Sequence, residues 1–154
     1  MAIKGKKIFI TGGAGFIGST IAERLIEDNQ IVVYDTLHRN ALAHTQIAKH
    51  KNLKLVKGDV MDSNHLTRSS KGANVFIHMA SIAGVDTVLS MPVKTMEIAT
   101  IGTYNALKAA VELNKVDRFI DFSTSEVFGS YAFNVKESDK TTVGSVGEAR
   151  WTYA

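Results

Sequence analysis

Three glycines near the start of the chain have a spacing suited to binding phosphate. Gly12, Gly15 and Gly18 follow the apolar residues 8–10, which predict a short buried strand. Apolar residues then recur every four positions over residues 17–25, as on one face of a helix. The glycines therefore lie where a strand turns into a helix. The free amides and the dipole of a helix start attract a pyrophosphate.

Each glycine of this turn has its own expected task. Gly12 permits the tight turn, Gly15 lets a pyrophosphate approach the backbone, and Gly18 lets the helix lie close to the strand. The first helical residues, Phe16 and Ile17, would offer their amides to the phosphates.

An acidic residue follows the second predicted strand, residues 30–34. Asp35 lies a little over twenty residues after Gly12, where a dinucleotide-binding fingerprint has its acid. Its carboxylate would accept hydrogen bonds from the ribose hydroxyls of adenosine and would repel a 2′-phosphate. NAD is therefore favoured over NADP, although His38 and Arg39 follow closely and could instead accommodate a phosphate.

Alternating strands and helices must position these groups. Three more strands are predicted, over residues 53–57, 74–78 and 118–122. We expect an α/β fold, a doubly wound parallel sheet of the Rossmann type with strand order 3-2-1-4-5 and helices on both faces. In such sheets ligands bind at the carboxyl ends of the strands.

Two further helices are predicted from capping residues. Asp62 or Ser63 caps a short one, and Ser90 caps a longer one that has Pro92 in its first turn and runs to about Asn114. The longer helix carries one broad apolar face, composed of Val93, Met96, Ile101, Tyr104, Leu107 and Val111.

The glycine-rich residues 11–18, read Thr-Gly-Gly-Ala-Gly-Phe-Ile-Gly, resemble the extended short-chain dehydrogenase/reductase superfamily. The similarity is to its NAD-dependent epimerase/dehydratase branch, which modifies nucleotide sugars. Residues 101–103 match that branch's N-x-x-G-T pattern, except that Ala99 replaces the Asn, which puts a minor cofactor contact in doubt. Residues 123–129 match its S-[ST]-x-x-x-[YF]-G segment.

The resemblance implies further cofactor contacts beyond the glycine-rich turn. Asp59 and Val60 match a pair that contacts the adenine, and small residues after the fourth strand leave room for the cofactor. His78 is expected to be buried and hydrogen-bonded rather than catalytic. The full predicted cofactor-binding set is Gly12, Gly15, Phe16, Ile17, Gly18, Asp35, Asp59, Val60, Met79, Ala80, Ser81, Ser123 and Tyr153.

The resemblance also implies catalytic residues. By position, Thr124 is the superfamily's catalytic hydroxyl and Tyr153 its catalytic tyrosine. Glu126 is either an acid/base near the sugar ring or a solvated loop residue. The lysine of the Y-x-x-x-K motif would fall four residues after Tyr153, beyond the last residue of the sequence. We therefore expect residues 1–154 to be the NAD-binding domain without its substrate-binding part, to bind NAD and to turn over little substrate.

The implied substrate is a nucleotide sugar, most readily a UDP-sugar. The segment Thr124-Ser125-Glu126 resembles decarboxylases acting on UDP-glucuronate and also 4,6-dehydratases, so that 4-epimerisation, decarboxylation and dehydration remain open. The family forms homodimers through the helix after strand four and the helix that begins at the catalytic tyrosine. A non-catalytic NAD-binding sensor and an NADPH-dependent reductase are the alternative functions.

Composition excludes several other classes. The 154 residues are 45% hydrophobic and 21% charged, as in ordinary globular domains. There is no cysteine, and the five histidines show no metal-binding spacing, so we predict no metal site. The net charge of +3 comes from scattered lysines, which argues against nucleic acid. Without an apolar run for a membrane helix or a signal peptide, a cytoplasmic protein is expected.

Overall fold

A computed structural model describes residues 3–113, 116–145 and 147–154. These contain a five-stranded parallel sheet in the order β3-β2-β1-β4-β5, which confirms the predicted fold and strand order. The strands are β1 (Lys7–Thr11), β2 (Gln30–Asp35), β3 (Leu53–Lys57), β4 (Val75–His78) and β5 (Arg118–Asp121).

The register of the sheet aligns the carboxyl ends of its strands. Thr11 at the end of β1 pairs with Tyr34 of β2 on one side and with His78 of β4 on the other. His78 in turn pairs with Asp121 of β5. The segments that leave these strands, including the glycine-rich turn, therefore emerge along one edge of the sheet, where ligands of such sheets bind.

Helices cover both faces of the sheet. They are α1 (Phe16–Leu25), α2 (Ser63–Ser69), α3 (Val85–Ser90), α4 (Pro92–Glu97) and α5 (Thr103–Leu113). One apolar core joins alternate strand residues such as Ile8 and Ile10 to Ala22 of α1. The other joins the intervening residues, such as Phe9, to Leu66 of α2 and the alanines of α5. This alternation is the period-two pattern of a sheet that is buried on both faces.

The long helix predicted after residue 90 is interrupted. A wider π-helical turn, Ile98–Gly102, separates α4 from α5. Ser90 does not cap it, because that residue ends α3 and its hydroxyl donates to the Thr87 carbonyl. Pro92 does occupy the first turn, and Asn114 lies outside the described residues.

The two predicted apolar faces differ in how far they pack on the sheet. On α1 the buried residues are Gly18, Ser19 and Ala22. Ile21 and Leu25 of the predicted face are partly buried against the core, whereas Ile17 is 56% exposed. On α4 and α5 the small residues pack inward, and the six larger apolar side chains of the predicted face are each at least 44% exposed. Close packing on a sheet favours small side chains, which periodicity alone does not show. Across the described residues we find no helix with the length and apolarity required to cross a bilayer.

Candidate cofactor site and catalytic segments

The turn between β1 and α1 is shaped by two of its glycines. Gly12 has a φ of +70°, and a Cβ there would lie 2.8 Å from the backbone nitrogen of Ala80, which follows β4. A Cβ on Gly18 would lie 2.5 Å from the Cα of Gly13. The turn therefore lies tightly against both α1 and the segment that leaves β4, and larger residues at either glycine would force these apart.

The start of α1 offers backbone amides without a competing side chain. Gly15 occupies the N-cap position with no side-chain hydrogen bond, and the first turn holds no acidic residue. The side chains of Phe16 and Ile17 are largely exposed, so they do not cover the helix start with a packed layer. Uncapped amides together with the helix dipole form a site for an anion such as a pyrophosphate.

Asp35 is attached to this turn by hydrogen bonds. Its Oδ2 accepts from the amide of Ala14 at 3.0 Å, and its Oδ1 accepts from the amide of Leu37 at 2.8 Å. These bonds fix the carboxylate beside the glycine-rich turn. Each carboxylate oxygen can accept more than one hydrogen bond, so the ribose hydroxyls of a bound nucleotide can still be accommodated.

A buried network lies beneath the segment that leaves β4. The Thr11 hydroxyl is 2.7 Å from Nδ1 of His78, and it accepts from the amides of Met79 at 3.2 Å and Ala80 at 3.4 Å. Because it accepts from two amides, its own proton goes to Nδ1. Nε2 of His78 lies 3.1 Å from the Thr103 hydroxyl, and it donates to that hydroxyl in the Nε2-protonated tautomer that these contacts favour. His78 is buried and hydrogen-bonded as predicted.

Burial lowers the pKa of His78, and the carboxylate of Asp121 opposes that effect only in part. The imidazole is therefore neutral near pH 7, as its acceptor role toward Thr11 requires. The network fixes the backbone of Met79 and Ala80 next to the glycine-rich turn, while Ser81 beyond them is exposed.

The predicted adenine-contacting pair follows β3. Oδ1 of Asp59 accepts from the amide of Met61 at 2.9 Å, and the residue itself is exposed. Val60 is only 4% exposed. Two residues that the sequence analysis missed fasten this turn: Tyr34 and Asn105, through hydrogen bonds to its carbonyls. The detectable signal for Asn105 was a polar residue amid the alanines on the inner face of α5.

The predicted catalytic segment leaves β5 at the same edge of the sheet. Ser123 is exposed there, and the Thr124 hydroxyl accepts from the amide of Glu126 at 3.2 Å, capping a 3₁₀ turn, Ser125–Phe128. The Glu126 carboxylate is paired with Arg150, whose Nη2 lies 3.2 Å from Oε1 and 3.1 Å from Oε2. Glu126 is thus neither free in solvent nor buried alone, and Arg150 is a partner that the sequence analysis did not identify.

Tyr153 follows a short 3₁₀ turn, Ala149–Thr152, and is half-buried. The described residues contain no hydrogen bond between Thr124 and Tyr153. The connection that they do show is the ion pair between Glu126 and Arg150, which joins the segment carrying Thr124 to the turn preceding Tyr153.

Comparison with known protein families identifies the family of this chain. The model of the GDP-mannose 4,6-dehydratase family matches residues 9–153. The chain belongs to that family. The predicted resemblance to the epimerase/dehydratase branch is thereby confirmed, and the similarity extends from β1 to Tyr153.

Individual relatives align with this chain over about half of their own length. A UDP-N-acetyl-alpha-D-glucosaminuronate decarboxylase from Bacillus cytotoxicus is 32% identical over 151 residues, covering 97% of this chain and 46% of the relative. A UDP-N-acetylglucosamine 4-epimerase from Methanobrevibacter ruminantium, solved with UDP-N-acetylmuramic acid, superposes with a TM-score of 0.85 at 28% identity, covering 97% of this chain and 47% of that one.

A dTDP-glucose 4,6-dehydratase from Streptomyces venezuelae, solved as a double mutant with NAD bound, gives a TM-score of 0.81 at 27% identity. The superposition covers 94% of this chain and 47% of the dehydratase. The chain therefore spans about half the length of these relatives. Decarboxylation, epimerisation and dehydration are all represented among them.

Proposed function

We propose that residues 1–154 form the NAD-binding domain of an enzyme that modifies nucleotide sugars. The observation that carries the proposal is the joining of the uncapped start of α1 to Asp35 through the bond from the Ala14 amide, at 3.0 Å. This arrangement supports a pyrophosphate site at the start of α1 beside a ribose acceptor at Asp35. The NAD bound in the Streptomyces venezuelae dehydratase supports the choice of cofactor.

In this proposal the dinucleotide lies along the edge formed by the carboxyl ends of the strands. The turn at Gly12 and Gly15 would receive the pyrophosphate, and Asp35 the adenosine ribose. Asp59 and Val60 would meet the adenine. The remaining contacts in the proposal come from Phe16, Ile17, Gly18, Met79, Ala80, Ser81, Ser123 and Tyr153.

The proposed chemistry is a transient oxidation of a UDP-sugar. NAD supplies, when bound, an acceptor for a hydride from a sugar carbon. Tyr153 removes the proton from the hydroxyl on that carbon, and Thr124 hydrogen-bonds the same oxygen. A tyrosine with an ordinary pKa of ~10 needs a positive charge nearby to act as a base at neutral pH. Glu126, paired with Arg150, lies two residues from Thr124 as a candidate acid/base.

We favour a UDP-sugar 4-epimerase or a UDP-glucuronate decarboxylase among the possible reactions. The decarboxylase from Bacillus cytotoxicus and the epimerase from Methanobrevibacter ruminantium support both types. Thr124 and Tyr153 distinguish the enzyme from a non-catalytic sensor, which would need neither hydroxyl. In the whole protein, Tyr153→Phe and Thr124→Ala are expected to lower kcat by about 10²-fold or more, and the exposed Tyr131→Phe to leave it unchanged.

Calorimetry tests the choice of cofactor. NAD is expected to bind more tightly than NADP, because the Asp35 carboxylate repels a 2′-phosphate. Asp35→Asn should narrow that difference, while Asp86→Asn, which changes an exposed carboxylate of α3, should leave it unchanged. A protein that is folded and gives no heat with NAD at millimolar concentration would show the proposal to be wrong. Tighter binding of NADP would favour the reductase instead.

We also propose that the enzyme is a homodimer that uses the exposed apolar face of α4 and α5. Six apolar side chains are at least 44% exposed, and they continue from α4 across the π-helical turn, which carries Ile101, into α5. A contiguous apolar surface of this kind is typical of protein–protein interfaces. A second copy is the natural occupant, because two-fold pairing lets the same face cover itself.

A further inference from the structure

We propose that Tyr34 and Asn105 are positioning residues that hold the turn of residues 58–60 in the shape that selects adenine. They would thereby set the preference of the cofactor site for its base without contacting the base themselves. The inference rests on the proposed function, since it requires Asp59 and Val60 to meet the adenine of NAD.

Tyr34 fastens the turn from the sheet. Its side chain is fully buried in β2, and its hydroxyl donates to the carbonyl oxygen of Asp59 at 2.9 Å. The same carbonyl accepts from the amide of Asp62 at 3.0 Å. The ring of Tyr34 occupies the space where a Cβ of residue 58 would lie, so Gly58 is needed for this packing.

The Tyr34 hydroxyl keeps its proton over the whole range in which the protein would work. Burial, followed by the negative charges of Asp62 and Asp59, raises the pKa of Tyr34 to about 12. The hydroxyl therefore remains a hydrogen-bond donor to the turn at neutral pH.

Asn105 fastens the turn from the other side, through α5. It is buried, and its Nδ2 donates to the carbonyl oxygen of Val60 at 2.9 Å. Gly102, one turn earlier, lets the Val60 side chain approach, since a Cβ there would lie 2.7 Å from the valine Cγ2. Both carbonyls of the pair are thus held by side chains from different elements.

In the turn held by Tyr34 and Asn105, one hydrogen-bond acceptor and one donor remain available for a ligand. Oδ1 of Asp59 is used by the Met61 amide, while Oδ2 of Asp59 and the amide of Val60 have no hydrogen-bond partner among the described residues. Adenine presents an amino donor next to a ring-nitrogen acceptor, which complements this pair. Hypoxanthine presents a carbonyl acceptor next to an N–H donor, which opposes it. If Oδ2 of Asp59 and the amide of Val60 are held rigidly, they discriminate strongly against hypoxanthine. If the turn is loose, they can adjust to hypoxanthine and the discrimination is weaker.

The test compares NAD with nicotinamide hypoxanthine dinucleotide by calorimetry on the same protein sample. We expect wild type to prefer NAD, and Tyr34→Phe and Asn105→Ala each to lower that preference by about threefold to tenfold, the effect of one hydrogen bond. Tyr131→Phe and Asn64→Ala make the same chemical changes at exposed positions, and they should keep the wild-type ratio.

The ratio of the two affinities does not depend on the folded fraction of a variant, because both dinucleotides bind the same folded molecules. A wild-type ratio near one, or variants that keep the full preference for NAD, would overturn the inference while leaving NAD binding intact. Absence of binding to wild type would instead overturn the proposed function and this inference with it. Should Asn105→Ala fail to fold, Tyr34→Phe decides alone.

Discussion

At the scale of single residues, the candidate site depends on a few positions that fix the backbone around it. Gly12 combines a left-handed backbone with a close approach to the segment after β4. Asp35 is held by two backbone amides. His78 joins the ends of β1 and β4 to the start of α5 through two threonines. Each of these interactions fixes backbone that a cofactor would contact.

Gly12→Ala should destabilise the fold and weaken NAD binding. A left-handed alanine costs about 1–2 kcal/mol, and the added Cβ at 2.8 Å from the Ala80 nitrogen forces a further shift. Urea unfolding measures the first effect and calorimetry the second. Gly147→Ala is the matched control, because a Cβ at Gly147 would meet no atom within 4 Å. Equal free energies of unfolding for Gly12→Ala and Gly147→Ala would contradict the structural requirement for glycine at position 12.

Stability should fall as the pH drops below about 6.5, the ordinary pKa of histidine. The folded pKa of His78 is lowered, mainly by burial, so the unfolded chain binds a proton first. The contribution of neutral His78 to the free energy of unfolding is therefore complete above the pKa of the unfolded state. It is lost as the pH falls through the pKa of the folded state. Urea midpoints at about pH 7.5 and about pH 5.5 measure it.

His78→Gln should be less stable than wild type at the higher pH and should show a smaller loss between the two pH values. His44→Gln, a change at an exposed histidine, should retain the wild-type dependence. If His78→Gln and wild type lose the same free energy, then His78 does not carry the effect.

At the scale of elements, α4 and α5 perform two tasks on opposite faces. Their small inner residues pack on the sheet and, through Gly102 and Asn105, fix the turn after β3. Their outer face carries larger apolar side chains that remain exposed. The π-helical turn between them lies beside the candidate site, as such turns often do.

Charged residues on the outer face should weaken self-association. Tyr104→Glu and Val111→Lys change side chains that are 64% and 80% exposed, so the free energy of unfolding of the monomer should change by less than about 0.5 kcal/mol. Sedimentation of the whole protein measures the dimer. Glu23→Lys, at an exposed position of α1, offers a control outside this face. A wild-type protein that sediments as a monomer would contradict the proposed interface.

At the scale of the whole molecule, the proposed site is assembled from segments that leave all five strands along one edge of the sheet. A ligand spanning these segments binds only the folded chain and must stabilise it. At a concentration of 100 times its Kd, NAD is expected to add about 2.7 kcal/mol to the free energy of unfolding. NADP at the same concentration should add less.

Thermal unfolding monitored by circular dichroism measures this shift. Asp35→Asn should bring the shifts caused by NAD and NADP closer together, without changing the order of the strands or the helix content. An unchanged midpoint at saturating NAD would contradict binding along this edge.

The sequence by itself determined the strands, the position of the glycine-rich turn and the family, and the order of the strands followed from the fold class that these indicate. Period-two and period-four apolar patterns and the 11–18 motif are local, and local patterns follow from the chain's own geometry. The place of Asp35 beside that turn also followed from its spacing. NAD, predicted from the same residues, agrees with the solved dehydratase.

Only the tertiary structure decided which helix faces are buried, because the periodicity of Ile17 and of the large apolar residues of α5 did not show that these side chains are exposed. It also decided the partners of polar groups far apart in the chain: Tyr34 with Asp59, Asn105 with Val60, and Glu126 with Arg150. Such contacts depend on how the elements are packed together, and no local pattern of residues specifies that packing.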